Sequence, residues 1–260
     1  MRIVRFAAAS KIKYGVLEGE NIRGFRGQPF TRLKDSGSAF SFDGSVYKLP
    51  EVRLLAPCLP SKIVCLGLNY RKHAEETKMP IPASPLIFLK PPTAVIGPDD
   101  KIVLPRLSRR VDYEGELGVV IGKRAKDVPE DKVSDYILGY TCVNDVTERH
   151  NQQADGQWTR AKGYDTFAPM GPWIETDLDP DDLELETYLN GERRQSARTS
   201  DLIFGVARVV SFISEVMTLL PGDVVATGTP SGIAPMSPGD VVEIKIEKIG
   251  ALKNFVISPE

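Results

Sequence analysis

Residues 111–122, VDYEGELGVVIG, constrain this chain more than any other segment: Asp112, Glu114 and Glu116 alternate with Tyr113 and Gly115, then run straight into the apolar residues 117–121. Side chains two apart share a face of an extended strand, so the three carboxylates would stand together while the strand continues into a core. Like charges on one face repel, and nothing inside the segment offsets that repulsion. Two environments resolve it. Water and loosely paired surface lysines can solvate the face, as for most charge runs. Alternatively, a hard divalent ion such as Mg²⁺, Mn²⁺ or Ca²⁺ can sit among the carboxylate oxygens and keep positions for water or substrate oxygens. The apolar run weakens the first reading, because it sends the strand into the interior.

At 260 residues the chain can build one large domain, or a main domain with a small appendage. Its 33 Lys and Arg face 35 Asp and Glu, a net charge of -2, which argues against a nucleic-acid partner, whose usual footprint is a basic excess. No apolar run approaches the roughly 20 residues of a membrane span, and the opening MRIVRFAAASKIKYG lacks the long apolar core of a secretory signal. The expectation is a cytoplasmic protein with no membrane partner. Cys58, Cys65 and Cys142 are odd in number and lack CxxC spacing, so they suggest neither a disulfide framework nor a zinc site and read as small buried apolar residues.

Residues 1–57 alternate short apolar runs (RIVRFAA, KYGVLEG, NIRGF, GSVYKL) with glycine-bearing turns, the pattern of a small β-rich unit. Pro57 and Pro60 bracket the boundary, and residues 58–260 form the second unit, opening on the strand candidate KIVCLGLNY. Residues 93–104 read as strands broken at the turn 97–100. Asp127 is placed to cap a short helix through about residue 138, stopped by Gly139, with a strand over 140–145. The best helix is 201–220, where Leu202, Val206, Val209, Ile213, Val216 and Leu220 recur near helical spacing, with Thr199 or Ser200 as cap and Pro221-Gly222 as stop. The tail VVEIKIEKIGALKNFVI reads as a hairpin turning near Gly250. Strands outnumber helices, so the expected class is a β-dominated α+β fold.

Asp145 follows Asn144 at a predicted strand end, where a carboxylate can be a third metal ligand or simply start a turn. His73 and Glu76, in NYRKHAEE, are three apart and share a helix face; the carboxylate can orient the imidazole as a base, or the pair can be an ordinary exposed one. His150 has no such companion and reads as a surface residue or one supporting the site from behind. Lys162 lies in WTRAKGYDTFAPMGPW, rich in aromatics, glycine and proline, and near a metal it could steady a developing enolate or carboxylate charge. The loop GTPSG, residues 228–232, could offer backbone N–H groups and the Thr229 hydroxyl to an anion. It matches neither a nucleophile elbow nor a P-loop, which argues against Ser231 as a nucleophile.

Six motifs in order, KIVCLGLNYRKHAEE, PLIFLKPPTAVIGP, VDYEGELGVVIGK, GYTCVNDVTERHNQ, DGQWTRAKGYDTFAPMGPWI and TGTPSGIAPMSPGDVVEIKIEKIGAL, give the chain over about residues 50–258 a resemblance to the fumarylacetoacetate hydrolase superfamily. The resemblance implies a mixed β-roll or β-sandwich behind the small N-terminal β-rich unit, and a homodimer. It also implies Mg²⁺ or Mn²⁺ held by Glu114, Glu116 and Asp145, with Asp112 behind them. His73 and Glu76 match the family's His-x-x-Glu dyad and Lys162 its substrate-side lysine. Gly228 and Thr229 lie in the loop that holds a substrate carboxylate, with Arg149 and Gln152 near the same pocket. His150 departs from the aspartate common there. The implied substrate is a small 2-oxo or 2-hydroxydienoic dicarboxylic acid reacting through a metal-stabilised enolate. The most similar members are 2-hydroxyhepta-2,4-diene-1,7-dioate isomerase/decarboxylases of aromatic catabolism; acylpyruvate hydrolases and oxaloacetate decarboxylases are alternatives. A carboxylate-binding protein that kept the fold and lost catalysis, and a metal-free serine hydrolase using Ser231, are readings from other classes.

Overall fold

The computed structural model describes residues 1–9, 11–31 and 40–259. The N-terminal strands are β1 (Arg2–Ala8), β2 (Lys11–Glu18), β3 (Asn21–Phe25), β4 (Phe42–Lys48) and β5 (Arg53–Leu55). Next come β6 (Ile63–Gly67), helix α1 (Arg71–Thr77), β7 (Leu86–Lys90), β8 (Val95–Ile96), β9 (Lys101–Val103), β10 (Val111–Asp112) and β11 (Gly115–Ile121). They are followed by β12 (Ile137–Asn144), β13 (Thr147–Glu148), α2 (Arg149–Asp155), α3 (Thr159–Lys162) and β14 (Ala168–Glu175). The chain closes with β15 (Glu184–Leu189), β16 (Glu192–Arg198), α4 (Val206–Val216), β17 (Val224–Ala226), β18 (Val241–Ile246) and β19 (Gly250–Ile257). The fold is β-dominated α+β, as the sequence pattern requires. Among the described residues no helix is long and apolar enough to cross a membrane.

A long sheet runs in the order β4-β3-β2-β1-β14-β12-β11-β17-β6-β7, and a second runs β16-β15-β18-β19-β9. Strand β11 is buried at every position, and side chains alternate between the faces of a strand. Leu117, Val119 and Ile121 therefore join Val64 and Leu66 in one core with α4 and the second sheet. Val120 joins Ile63, Cys65, Val143 and Met170 in the other core, closed by Ile3, Tyr14 and Phe25 from the N-terminal strands. The first strand, β1, hydrogen-bonds to β14 with Arg2 opposite Glu175, so strands β1 to β5 extend the main sheet. All three cysteines are free and buried.

Three expectations about elements change. Residues 127–138 carry only a 3-10 turn, Glu130–Tyr136, entered from Pro129. Asp127 is left-handed with φ 52° and caps nothing, and Gly139 lies inside β12, where a Cβ would meet the Glu175 carbonyl at 2.3 Å. The long helix is Val206–Val216 rather than 201–220, entered from Gly205 without a side-chain cap. Thr199 is drawn away, its hydroxyl donating to the Pro180 carbonyl and accepting from Leu183 N–H, while the Asn69 side chain clasps the Phe204 backbone, donating to its carbonyl and accepting from its N–H. Lastly, the acidic strand breaks at Tyr113-Glu114 into β10 and β11. The hairpin between β18 and β19, turning just before Gly250, follows the pattern as read.

Candidate metal centre and active site

The break in the acidic strand is what assembles the site. Strand β11 pairs with β12 up to Gly115 opposite Asn144, and β10 pairs with β13 from Asp112 opposite Thr147. Both chains leave the ladder at the rung between. There Glu114 N–H donates to Asn144 Oδ1 at 2.9 Å and Asp145 N–H donates to the Glu114 carbonyl at 2.9 Å. As a result Glu114, Glu116 and Asp145, all buried, converge, each offering one oxygen within 4.8 Å of the others. Asp112 is buried too but diverted: it accepts from Arg110 at 2.9 and 3.0 Å and from Arg149 Nε at 2.8 Å. The three alternating acids thus do not share one environment, because the strand that would have aligned them is interrupted.

Cations ring the cluster. Lys162, from α3 and 2% exposed, donates to Glu114 Oε2 at 2.8 Å and to Asp145 Oδ2 at 2.6 Å. Lys90, at the end of β7 and 1% exposed, donates to Asp145 Oδ1 at 2.5 Å and to the Val146 carbonyl at 3.0 Å. Arg149 reaches Glu114 Oε1 at 2.5 Å. Among the described residues Glu116 lacks any such cation partner: its Oε2 accepts from Gly228 N–H at 2.8 Å, and its buried Oε1 has no partner. The electrostatics follow. Burial, reinforced by the neighbouring Asp145 and Glu114 charges, pushes the Glu116 carboxyl well above the usual range. Burial would raise Glu114 as well, but Lys162 and Arg149 outweigh it and hold that carboxyl low.

An unpartnered buried carboxylate oxygen beside two further carboxylates is a hard, all-oxygen donor set, and it suits a divalent ion held by Glu114, Glu116 and Asp145. The cluster opens into a pocket of about 820 Å³. On one wall Trp158 meets Phe88 edge-on at 5.2 Å, and Lys162 Nζ lies 4.8 Å from the Phe88 ring centre. A Cβ on Gly67 would come within 2.7 Å of Trp158, so any larger residue there would have to displace the indole.

Opposite stands α1. His73, buried, has Nδ1 3.0 Å from Glu76 Oε2, while Glu76 Oε1 accepts from Gly232 N–H at 2.9 Å. The dyad is thus formed and tied to the loop 228–232, leaving Nε2 as the free ring nitrogen. That loop differs from the expectation for an anion cradle. Gly228 N–H is committed to Glu116, and the Thr229 hydroxyl donates to the Gly115 carbonyl at 3.0 Å while accepting from Gln195 Nε2 at 2.8 Å. Both residues face the cluster and brace it. Gln152 lines the pocket and accepts from Arg149 Nη1 at 3.0 Å. His150 is exposed at the pocket mouth. Ser231 is outside the pocket lining, and its hydroxyl bonds to neither histidine.

Sequence reading passed over Lys90, Asn144 and Gln195. Lys90 had a signal: a lone lysine closing the apolar strand LIFLK before Pro91-Pro92 must either leave the core or find an acid inside it. Asn144 and Gln195 had none, since each acts on a backbone group far from it in sequence.

The family model described as fumarylacetoacetate (FAA) hydrolase C-terminal matches residues 62–257, and an N-terminal one, Rv2993c-like, matches residues 1–57. The chain is 40% identical to a 2,4-didehydro-3-deoxy-L-rhamnonate hydrolase of Sphingomonas sp., covering 98% of this chain and 96% of that one. Among solved structures it is similar to a 2-hydroxyhepta-2,4-diene-1,7-dioate isomerase from Mycobacterium marinum, with a TM-score of 0.91, 48% identity and coverage of 99% of this chain and 98% of that one. It is also similar to the maleylpyruvate hydrolase from Sphingobium sp. SYK-6 in complex with manganese(II) and pyruvate, with a TM-score of 0.81, 30% identity and full coverage of both chains. On sequence and fold together, the chain belongs to the fumarylacetoacetate hydrolase family.

Proposed function

We propose that the protein is a divalent-metal-dependent enzyme, using Mg²⁺ or Mn²⁺, that acts on a 2-oxo or 2-hydroxydienoic dicarboxylic acid. The reaction that fits best is that of a 2-hydroxyhepta-2,4-diene-1,7-dioate isomerase/decarboxylase. The observation that carries the proposal is the unpartnered Glu116 Oε1 among three buried carboxylates, at the floor of a pocket that also holds a histidine–glutamate pair. A bound ion would supply a Lewis acid that stabilises negative charge developing on the oxygens of a 2-oxo acid. Lys162 adds a fixed positive charge beside the same oxygens. His73, its Nδ1 oriented by Glu76, takes or returns the proton at Nε2. Phe88 and Trp158 keep water from one side. A second reading, hydrolytic cleavage of a C–C bond, draws support from the hydrolase relatives matched along nearly the whole chain.

The test is a spectrophotometric panel of a 2-hydroxy-2,4-dienedioate, acetylpyruvate and oxaloacetate, each with Mg²⁺, with EDTA, and with Glu116→Ala. Metal-dependent turnover lost in the variant is expected. Turnover that survives EDTA would overturn the proposal, and inertness across the panel despite metal binding would favour a carboxylate-binding protein.

A further inference from the structure

The pocket that holds the cluster is also lined by two basic side chains, Arg109 and His150, that form no hydrogen bond with the cluster among the described residues. Val111 is paired with Glu148, and Arg149 N–H donates to the Arg110 carbonyl at 2.8 Å. Beyond that bond the ladder ends: Arg109 lies in the bend before β10 and His150 in the first turn of α2, the two segments being joined at the Arg110 carbonyl. Both are exposed and both line the pocket.

Their placement is fixed from beneath. The buried carboxylate of Glu148 accepts from Arg109 N–H at 3.1 Å through Oε1 and from Asn151 N–H at 2.5 Å through Oε2, stapling the backbone at 109 to the first turn of α2. The neighbouring charges are already committed: Arg110 to Asp112, Arg149 to Asp112 and Glu114, and Asp155 to Arg160 at 2.8 and 2.6 Å. Neither the Arg109 guanidinium nor the His150 ring has a hydrogen-bond partner among the described residues. A guanidinium and an imidazole lining one pocket, with no other hydrogen-bond partner, are suited to receive a carboxylate, since Arg109 is always charged and His150 donates in either protonation state.

We propose that Arg109 and His150 hold the distal carboxylate of the substrate, so that the pocket selects 2-oxo dicarboxylic acids over 2-oxo monocarboxylic acids of the same length. This rests on the function proposed above, which puts the 2-oxo end at Glu114, Glu116 and Asp145. One charge-assisted hydrogen bond contributes roughly 1.5–3 kcal/mol, so the distal carboxylate should tighten binding about tenfold or more.

The experiment is calorimetric binding to the full chain in Mg²⁺ of two matched series: 2-oxopentanoate, 2-oxohexanoate and 2-oxoheptanoate against 2-oxoglutarate, 2-oxohexanedioate and 2-oxoheptanedioate. At one length or more, the diacid is expected to bind at least about tenfold tighter than its partner. That preference should fall to near unity in the double variant Arg109→Gln, His150→Ala, with affinity for the monoacids unchanged. No preference at any length in the native chain, or a preference kept in the double variant, overturns the inference. Repeating the monoacid series in EDTA tests the underlying reading separately. If the monoacids bind equally without metal, the metal-centred function fails, while a diacid preference that still depends on Arg109 and His150 would leave the distal receptor standing.

Discussion

Replacing Glu116 by glutamine separates a metal centre from a merely buried acid. The amide keeps an oxygen for Gly228 N–H, removes a charge that no lysine or arginine contacts, and takes away one ligand. In the metal-free native chain the Glu116 carboxyl is raised in the fold by burial and by Asp145 and Glu114. The unfolded chain therefore ionises first as pH rises. The stability contributed by protonated Glu116 is fully present below the ordinary carboxylate value of about 4.3 and declines as pH climbs toward the raised folded value. Metal-free Glu116→Gln lacks this decline, so at pH 7 to 8 it should melt no lower than the metal-free native chain. Adding ion at about 100 times its Kd should stabilise the native chain by about 2.7 kcal/mol. At about 2.1 cal/mol/K of unfolding entropy per residue, a 260-residue chain then gains about 5 °C. The variant should gain under about 1 °C. Differential scanning calorimetry with Mg²⁺, with Mn²⁺ and with EDTA at pH 5 and pH 8 measures all of this. A shift of several degrees retained by the variant, or a metal-free variant melting several degrees below the metal-free native chain, would refute the reasoning.

Lys90→Met removes one of two lysines from Asp145 inside the protein; losing a partner from a buried ion pair costs about 3 kcal/mol, and urea unfolding should show that deficit shrinking when Mg²⁺ is present. His73→Asn should lower kcat about 10²- to 10⁴-fold while leaving the metal-dependent melting shift intact, because His73 has no contact with the three carboxylates' ligating oxygens. Glu76→Gln should move kcat the same way by less, and restoring full kcat in either variant at high substrate would count against a proton-transfer role.

The alternation at Glu114 and Glu116 was legible because it is a local, period-two property, and so was the buried strand that follows, apolar or glycine at every position from Leu117 to Ile121. The strand-rich class and the hairpin at 247–249 were legible for the same reason. The place of Asp112 behind the other acids came only from the family resemblance, because its separation depends on Asn144 pulling on Glu114 N–H from the neighbouring strand, which no local pattern reveals. Helix limits near 201 and 127 failed where residues with capping chemistry, Thr199 and Asp127, were claimed by partners or backbone geometry outside their own segment. The bracing of Thr229 depended on Gln195, brought in by the other sheet.

Glu76 has two oxygens and divides them between the ring of His73 and the amide of Gly232. Helix α1 is seven residues long, has no side-chain cap at its start and ends at left-handed Lys78, so little besides this carboxylate ties it to the loop across the pocket. One carboxylate therefore both orients the imidazole and joins α1 to that loop. A substitution at Gly232, 156 positions away along the chain from Glu76, would register in kinetics as a weakened base. On the function proposed, His73 would act as a base in the orientation that this shared carboxylate holds.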